Sequence, residues 1–275
     1  MTDEIGASDA RVLSESMLQL TEAGVLEIRE MFEGAPPVQS IAGLQRADPV
    51  NFSDGEDWAV ASAQEVIGWT TLAALDHVRG CALLVKAGLS VAPITLARAA
   101  TEALGIAWHL LGSEDAETLI TRHLNLRYSE LHFPARHGVQ MDDGDGGIIL
   151  ASKRKSQIEE IMANKGFGAP KRVDISGLAA AVMDESFGGG GAAHYSQLST
   201  AAHSAGPMLA IHMSTASLRP SRAITITAAT DATMSLIVVI NEIVRVFQLS
   251  GNTWGSAVPG ASEPILGLAQ SLNKI

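Results

Sequence analysis

The chain is short of cysteine, aromatic residues and positive charge. Cys81 is the single cysteine among 275 residues, so no internal disulfide can form. A lone thiol in an apolar helical run reads as a small buried hydrophobe rather than a nucleophile. Aromatic residues make up 4% of the chain, so Ala, Leu and Gly fill the core, and small apolar residues suit closely packed helices better than sheets. Nineteen Lys and Arg stand against 30 Asp and Glu, a net charge of −11. That argues against broad nucleic-acid binding, because phosphate contacts need clustered cations, but leaves room for a local basic cleft. No run alternates with period two for long enough to predict a strand; "ITIT" at 224–227 comes nearest and lies inside a helical pattern. No repeat of 20–50 residues is present. The opening "MTDEIGASDA" has neither a basic n-region nor an apolar h-region, so no signal peptide is expected and the cytoplasm is the expected compartment. The most apolar window, Ala223 to Ile240, is interrupted by Asp231 and several threonines. It predicts a buried helix rather than a membrane span, and no membrane partner is expected.

What the chain does have is helical periodicity over most of its length. Helices are predicted over 7–32, 56–86 with Gly88 as the stop, 90–111 with Pro93 in the first turn, and from Ser113 as N-cap to about Phe133-Pro134. Further helices are predicted over 152–164, 175–187, 194–204, 222–249 and 263–272. Residues between Gly34 and Gly55 read as a polar, irregular linker, and the stretch around 134–150, with "MDDGDGGI", as a flexible insert. The expectation is an all-α fold: one helical-bundle domain with two or three long core helices and shorter peripheral ones. Residues 1–54 form the N-terminal helix and linker, and 55–275 the main helical domain.

The third helix, "SVAPITLARAATEALGIAWHLLG", is apolar except for Arg98, Glu102, His109 and two threonines. At 100° per residue, Arg98, Glu102, Gly105 and His109 fall within about 60° of one face. A helix apolar on its other sides is expected to be buried, so its charged stripe must be paired. Arg98 and Glu102 are i,i+4 neighbours in the less favourable order, basic residue first. Burial of that pair would make Arg98→Ala cost about 3–5 kcal/mol. In the second helix Asp76, His77 and Arg79 interrupt another apolar run; Asp76 either pairs with Arg79 locally or complements Arg98 across the helix interface. Later, "GGGGAAHYSQLSTAAHSAG" places Tyr195, Ser199 and His203 at i, i+4, i+8, on one helical face, with His194 turned elsewhere. That face either donates hydrogen bonds to loops or meets the Arg98/Glu102/His109 stripe to form one polar chamber.

"APITLARAATEALGIAWHLLG" followed by "HYSQLSTAAHSAG" resembles a broad family of uncharacterised bacterial helical proteins common in actinobacteria. Those carry an Arg-x-x-x-Glu helix and, about a hundred residues on, a Tyr-x-x-Leu-Ser-x-x-x-His element, matched here by Tyr195, Leu198, Ser199 and His203. The likeness covers roughly 70–205. The family is distantly similar to the HEPN group of helical domains, several of which are metal-independent ribonucleases of toxin and defence systems. HEPN ribonucleases carry Arg-x(4–6)-His, and "RYSELH" sets Arg127 and His132 at that spacing, with Tyr128 where the pattern prefers a small polar residue. The family has no settled activity; it is the polar-chamber reading of the residues that assigns catalysis to His203, Arg98, Glu102 and Tyr195. Ser199, His109, Asp76, Arg127 and His132 would contact substrate.

No metal motif is present: His194 and His203 are nine apart without a Cys or HExxH partner, and "DDGDGG" lacks the closing Glu of a calcium loop. "GGGG" is not a phosphate loop, since no strand precedes it and no Gly-Lys-Ser/Thr follows. No cofactor is expected. Two functions stay open. One is metal-independent acid/base cleavage of RNA held at a local basic cleft. The other is a non-catalytic interaction protein whose polar network fixes a helical bundle or a homodimer.

Overall fold

Ala, Leu, Ile and Val at helical spacing give eleven α-helices among the described residues, with two small two-stranded ribbons beside them. The structure is a computed structural model that describes residues 7–52, 58–144, 146–203, 213–214, 219–220 and 222–272. The helices are α1 (Ala7–Glu33), α2 (Ile41–Ala47), α3 (Trp58–Lys86), α4 (Ala92–Leu111), α5 (Ala116–Glu130) and α6 (His132–Arg136). They continue with α7 (Ala151–Lys165), α8 (Ile175–Phe187), α9 (Gly191–Ala202), α10 (Arg222–Phe247) and α11 (Asn252–Leu272). The all-α expectation holds.

α4 is the central helix, packed against α3, α10, α8 and α9. Ala97, Ala100 and Ala107 on it have no solvent exposure, and such small side chains let neighbouring backbones approach. Gly105 takes this furthest: a Cβ there would stand 2.7 Å from Ala179 N and 2.8 Å from Leu178 O, so α8 crosses α4 backbone to backbone at that residue. Leu13, Met17 and Leu20 of α1 join the same core as α3, α4 and α10. α10 contains a stretch, Ala223–Phe247, long and apolar enough to cross a membrane by length and composition, but 72% of its apolar window is buried inside the protein. Asp231, Thr225 and Thr233 within it are buried too, as a core helix allows when polar groups find partners.

Four local expectations are corrected. The supposed linker after Gly34 contains α2 and a 3-10 turn, Pro49–Phe52. Ser40 caps α2 by accepting from Gly43 N at 2.9 Å. Buried Gln64 of α3 then donates to Ala42 O at 3.0 Å and Gln45 Oε1 at 3.2 Å, and accepts from Arg46 Nε at 2.6 Å. The segment's polar residues therefore order it; the rest of that linker, 53–55, and the first two residues of the helix expected from 56 lie outside the described residues. Ser113 is not the N-cap of α5: Asp115 is, accepting from Thr118 N at 2.7 Å. The insert near 134–150 is in part an antiparallel ribbon, Gln140–Asp142 with Ile148–Leu150, too short to show an alternating pattern; its Asp145 lies outside the described residues. The C-terminal helix begins at Asn252 rather than 263 despite Pro259 and Pro264, because α1 carboxylates hold its start.

Candidate functional site

The glycine run answers to the turn that delivers α9 to α4. Gly188, Gly189 and Gly190 all have positive φ (71°, 128°, 81°), a region L side chains rarely adopt. At Gly191 a Cβ would meet Ala180 O at 2.1 Å, so α9 starts flush against α8. That reversal seats buried Tyr195 against Ala179 and Met183 of α8 and aims its ring at α4. α9 spans Gly191–Ala202, and His203 is its C-cap; Ser204, expected as the helix end, lies outside the described residues.

Four of the expected residues meet here. Arg98 Nε donates to Glu102 Oε1 at 2.8 Å. The Tyr195 hydroxyl donates to the same oxygen at 2.6 Å. Arg98 Nη1 contacts His203 Nε2. Burial works against the Arg98 charge, but Tyr195 and Glu102 outweigh it and raise the guanidinium above its ordinary value. The Arg98 and Glu102 side chains keep 23% and 29% of their surface in solvent, so the pair is half-buried rather than interior. His203 is exposed at the outer edge of the cluster. Half-buried Ser199 is one turn away and gives its carbonyl to His203 N at 3.1 Å.

The remaining expected residues lie elsewhere. His109 shares the α4 stripe, but α8 crosses between it and Glu102 at Gly105. His109 sits instead by Arg122, whose Nη1 donates to the His109 carbonyl at 2.6 Å. Burial, then the Arg122 charge, push its imidazole down to about 4. Asp76 does not complement Arg98: it is exposed in a groove beside Thr21, Val25 and Leu26 of α1. Arg127 pairs with Glu130 at 3.0 Å. His132 begins a new helix after the break at Leu131, under the charges of Arg172, Lys155 and Arg136.

A second polar pair is new from the structure. His194, turned away from the cluster as expected, has Nδ1 3.3 Å from Asp231 Oδ2 and its ring stacked on Phe187 at 4.9 Å. The hydrogen bond His194 donates to Asp231 raises its imidazole against burial, while burial raises buried Asp231 against the same bond. Asp231 inside the most apolar stretch of the sequence was the available signal, since a buried carboxyl needs a partner. Among the described residues no group of three or more His, Cys, Asp or Glu is placed to hold a metal ion.

Comparison with protein-family models, curated proteins and solved structures finds no match.

Proposed function

We propose that Arg98, Glu102, Tyr195 and His203 form a metal-independent acid/base site for RNA phosphodiester cleavage, in a cytoplasmic protein of toxin or defence type. The contact between Arg98 Nη1 and His203 Nε2 carries this reading. A guanidinium has donors and no acceptor, so His203 meets it as a neutral imidazole with its lone pair on Nε2 and its proton on Nδ1. A neutral imidazole at a solvent-exposed edge, beside a fixed cation, supplies two needs of phosphodiester cleavage: an acceptor for the 2′-hydroxyl proton and positive charge for the phosphate oxygens. Glu102, held by Tyr195, keeps the guanidinium oriented. Incoming phosphate would take the Arg98 Nη1 donor and free Nε2 to act as base. The HEPN-type spacing carried by Arg127 and His132 lies away from this cluster, so the reading rests on the cluster's own geometry.

One observation favours a second reading. The hydrogen bonds of the cluster run from member to member, and Glu102 cancels the Arg98 charge. On an acidic chain, such a network suits a lock between α4 and α9 in a non-catalytic interaction protein.

Incubating the protein with structured and single-stranded RNA in the presence of chelator, beside His203→Ala, separates the two. The catalytic reading expects the variant to melt near wild type and to lose at least about 100-fold in cleavage rate. Equal cleavage by a folded variant, or no cleavage by wild type together with a lowered melting temperature in the variant, favours the lock.

A further inference from the structure

A cavity of about 660 Å³ opens between α3, α5 and α7. It takes no residue from α4, α8 or α9, so it is separate from the Glu102 cluster. Its size falls within the roughly 300–1,000 Å³ typical of small-molecule sites. The apolar wall is built by Val66 and Trp69 of α3, Leu124 of α5, and Ile158 and Ile161 of α7. Trp69 leaves 60% of its surface in solvent even though Phe32 lies 5.0 Å from its ring. An indole this open beside a cavity offers apolar area to a ligand at little entropic cost.

The charged groups of the lining are not equivalent. Arg127 already meets the Glu130 carboxylate, and Glu65 lies near enough to Arg46 for the two charges to interact. Arg154 differs. Its hydrogen bonds among the described residues go to neutral oxygens, Asp143 O at 2.8 Å and Gln157 Oε1 at 3.3 Å. They fix the guanidinium in place without cancelling its charge. His123 also lines the cavity, 6% exposed, and its Nδ1 is buried with no hydrogen-bond partner. Buried polar atoms are nearly always satisfied; this one leaves the wall with polar capacity that a ligand group, or a shift of the ring towards one, would use.

We infer that this cavity binds a small amphipathic monoanion, its single charged head on Arg154 and its aliphatic or aromatic body along Val66, Trp69 and Leu124. Arg127 is taken by Glu130, and Arg154 alone of the two lining arginines bonds to neutral oxygens among the described residues, which gives the cavity one anion head and not the two that a dianion or a polyanion needs. The apolar wall gives a bare inorganic anion nothing to gain.

The test is a fluorescence titration of the full chain with 8-anilinonaphthalene-1-sulfonate, a monoanion with an aromatic body. Saturable one-site binding is expected, displaced by decanoate and not by inorganic phosphate or adenosine monophosphate. Arg154→Gln should weaken it by about tenfold. Ile161→Trp, which fills the cavity from a residue 38% exposed, should abolish it. Both variants should melt like wild type, and His203→Ala should bind the probe unchanged, which keeps this result independent of the cleavage reading. Absence of saturable binding overturns the proposal. Binding undiminished in Ile161→Trp places the probe on other apolar surface and overturns it equally. Full affinity in Arg154→Gln, or displacement by phosphate as effective as by decanoate, removes the anion head and with it the assignment.

Discussion

The Tyr195 hydroxyl lies 2.6 Å from Glu102 Oε1, joining residues 93 positions apart. The tyrosine is 6% exposed, so its hydroxyl has little access to water as an alternative partner. Tyr195→Phe removes one oxygen and preserves the ring packed on Ala179 and Met183. A hydrogen bond to a charged group contributes about 1.5–3 kcal/mol, and a loss of that size is expected in urea unfolding. An unchanged midpoint would mean that the hydroxyl does not hold α9 to α4.

Arg98→Ala should cost less than full burial of its pair would imply. Exposed ion pairs are worth about 0.2–1 kcal/mol, and breaking a buried one costs about 3–5 kcal/mol. With about a quarter of each side chain in solvent, the expected loss is about 1–3 kcal/mol. Glu102→Gln should cost less than Arg98→Ala, because the amide oxygen still accepts from Tyr195. Thermal melts of the two variants against wild type check the order.

The half of the site contributed by α4 is legible because charges on an otherwise apolar helix must be paired, and helical spacing names the face that carries them. The same spacing aligns Tyr195 with His203. It cannot say where another helix crosses. Gly105 belongs to the stripe by angle, yet it is the point where α8 lies against α4, and that crossing separates His109 from Glu102. The ordered segment after Gly34 is hidden for a related reason. Its stability comes from Gln64, Gln45 and Arg46 meeting across the fold, and polar residues that find buried partners look the same in sequence as polar residues in water. Asp76 and Arg98 show the converse: complementary charges on adjacent helices need not face one another.

Glu27 is a test of how a distant side chain starts a helix. It is 2% exposed on α1, and its Oε1 accepts from Trp254 N at 3.1 Å in the first turn of α11. Glu30, one turn on, accepts from both Ser250 N and Ser250 Oγ at 2.8 Å. Backbone N–H groups at a helix start lack intrahelical partners, and negative charge there is favourable. Glu27→Ala should therefore destabilise by about 1–2 kcal/mol. Glu27→Gln retains an acceptor and should lose less. Amide hydrogen exchange at 252–256 should quicken in the alanine variant ahead of exchange in α4; uniform quickening would assign Glu27 to the general core instead.

Stability against pH should pass through a maximum, because the histidines act in opposite senses. His109 and His123 are both pushed down to about 4, mainly by burial. Between about 4 and the ordinary 6.5 the unfolded chain holds more protons at these two sites, so their contribution grows as pH rises and is lost as pH falls. Asp231 opposes them in the acid range: burial raises its carboxyl above 3.8, so the folded state holds the extra proton there. His194 is raised above 6.5 by its bond to Asp231. Its stabilisation is complete below 6.5 and is lost as pH climbs through the raised value. The rise from His109 and His123 up to the ordinary 6.5 and the loss at His194 above it place the expected maximum near pH 6.5. Urea midpoints taken across pH 4–9 measure the curve. His109→Gln should flatten the acid limb and leave the alkaline limb alone. Asp231→Asn should remove the fall above pH 6.5, since without the carboxylate His194 has no reason to hold its proton. An alkaline limb that survives in Asp231→Asn would show that the His194–Asp231 pair is not its source.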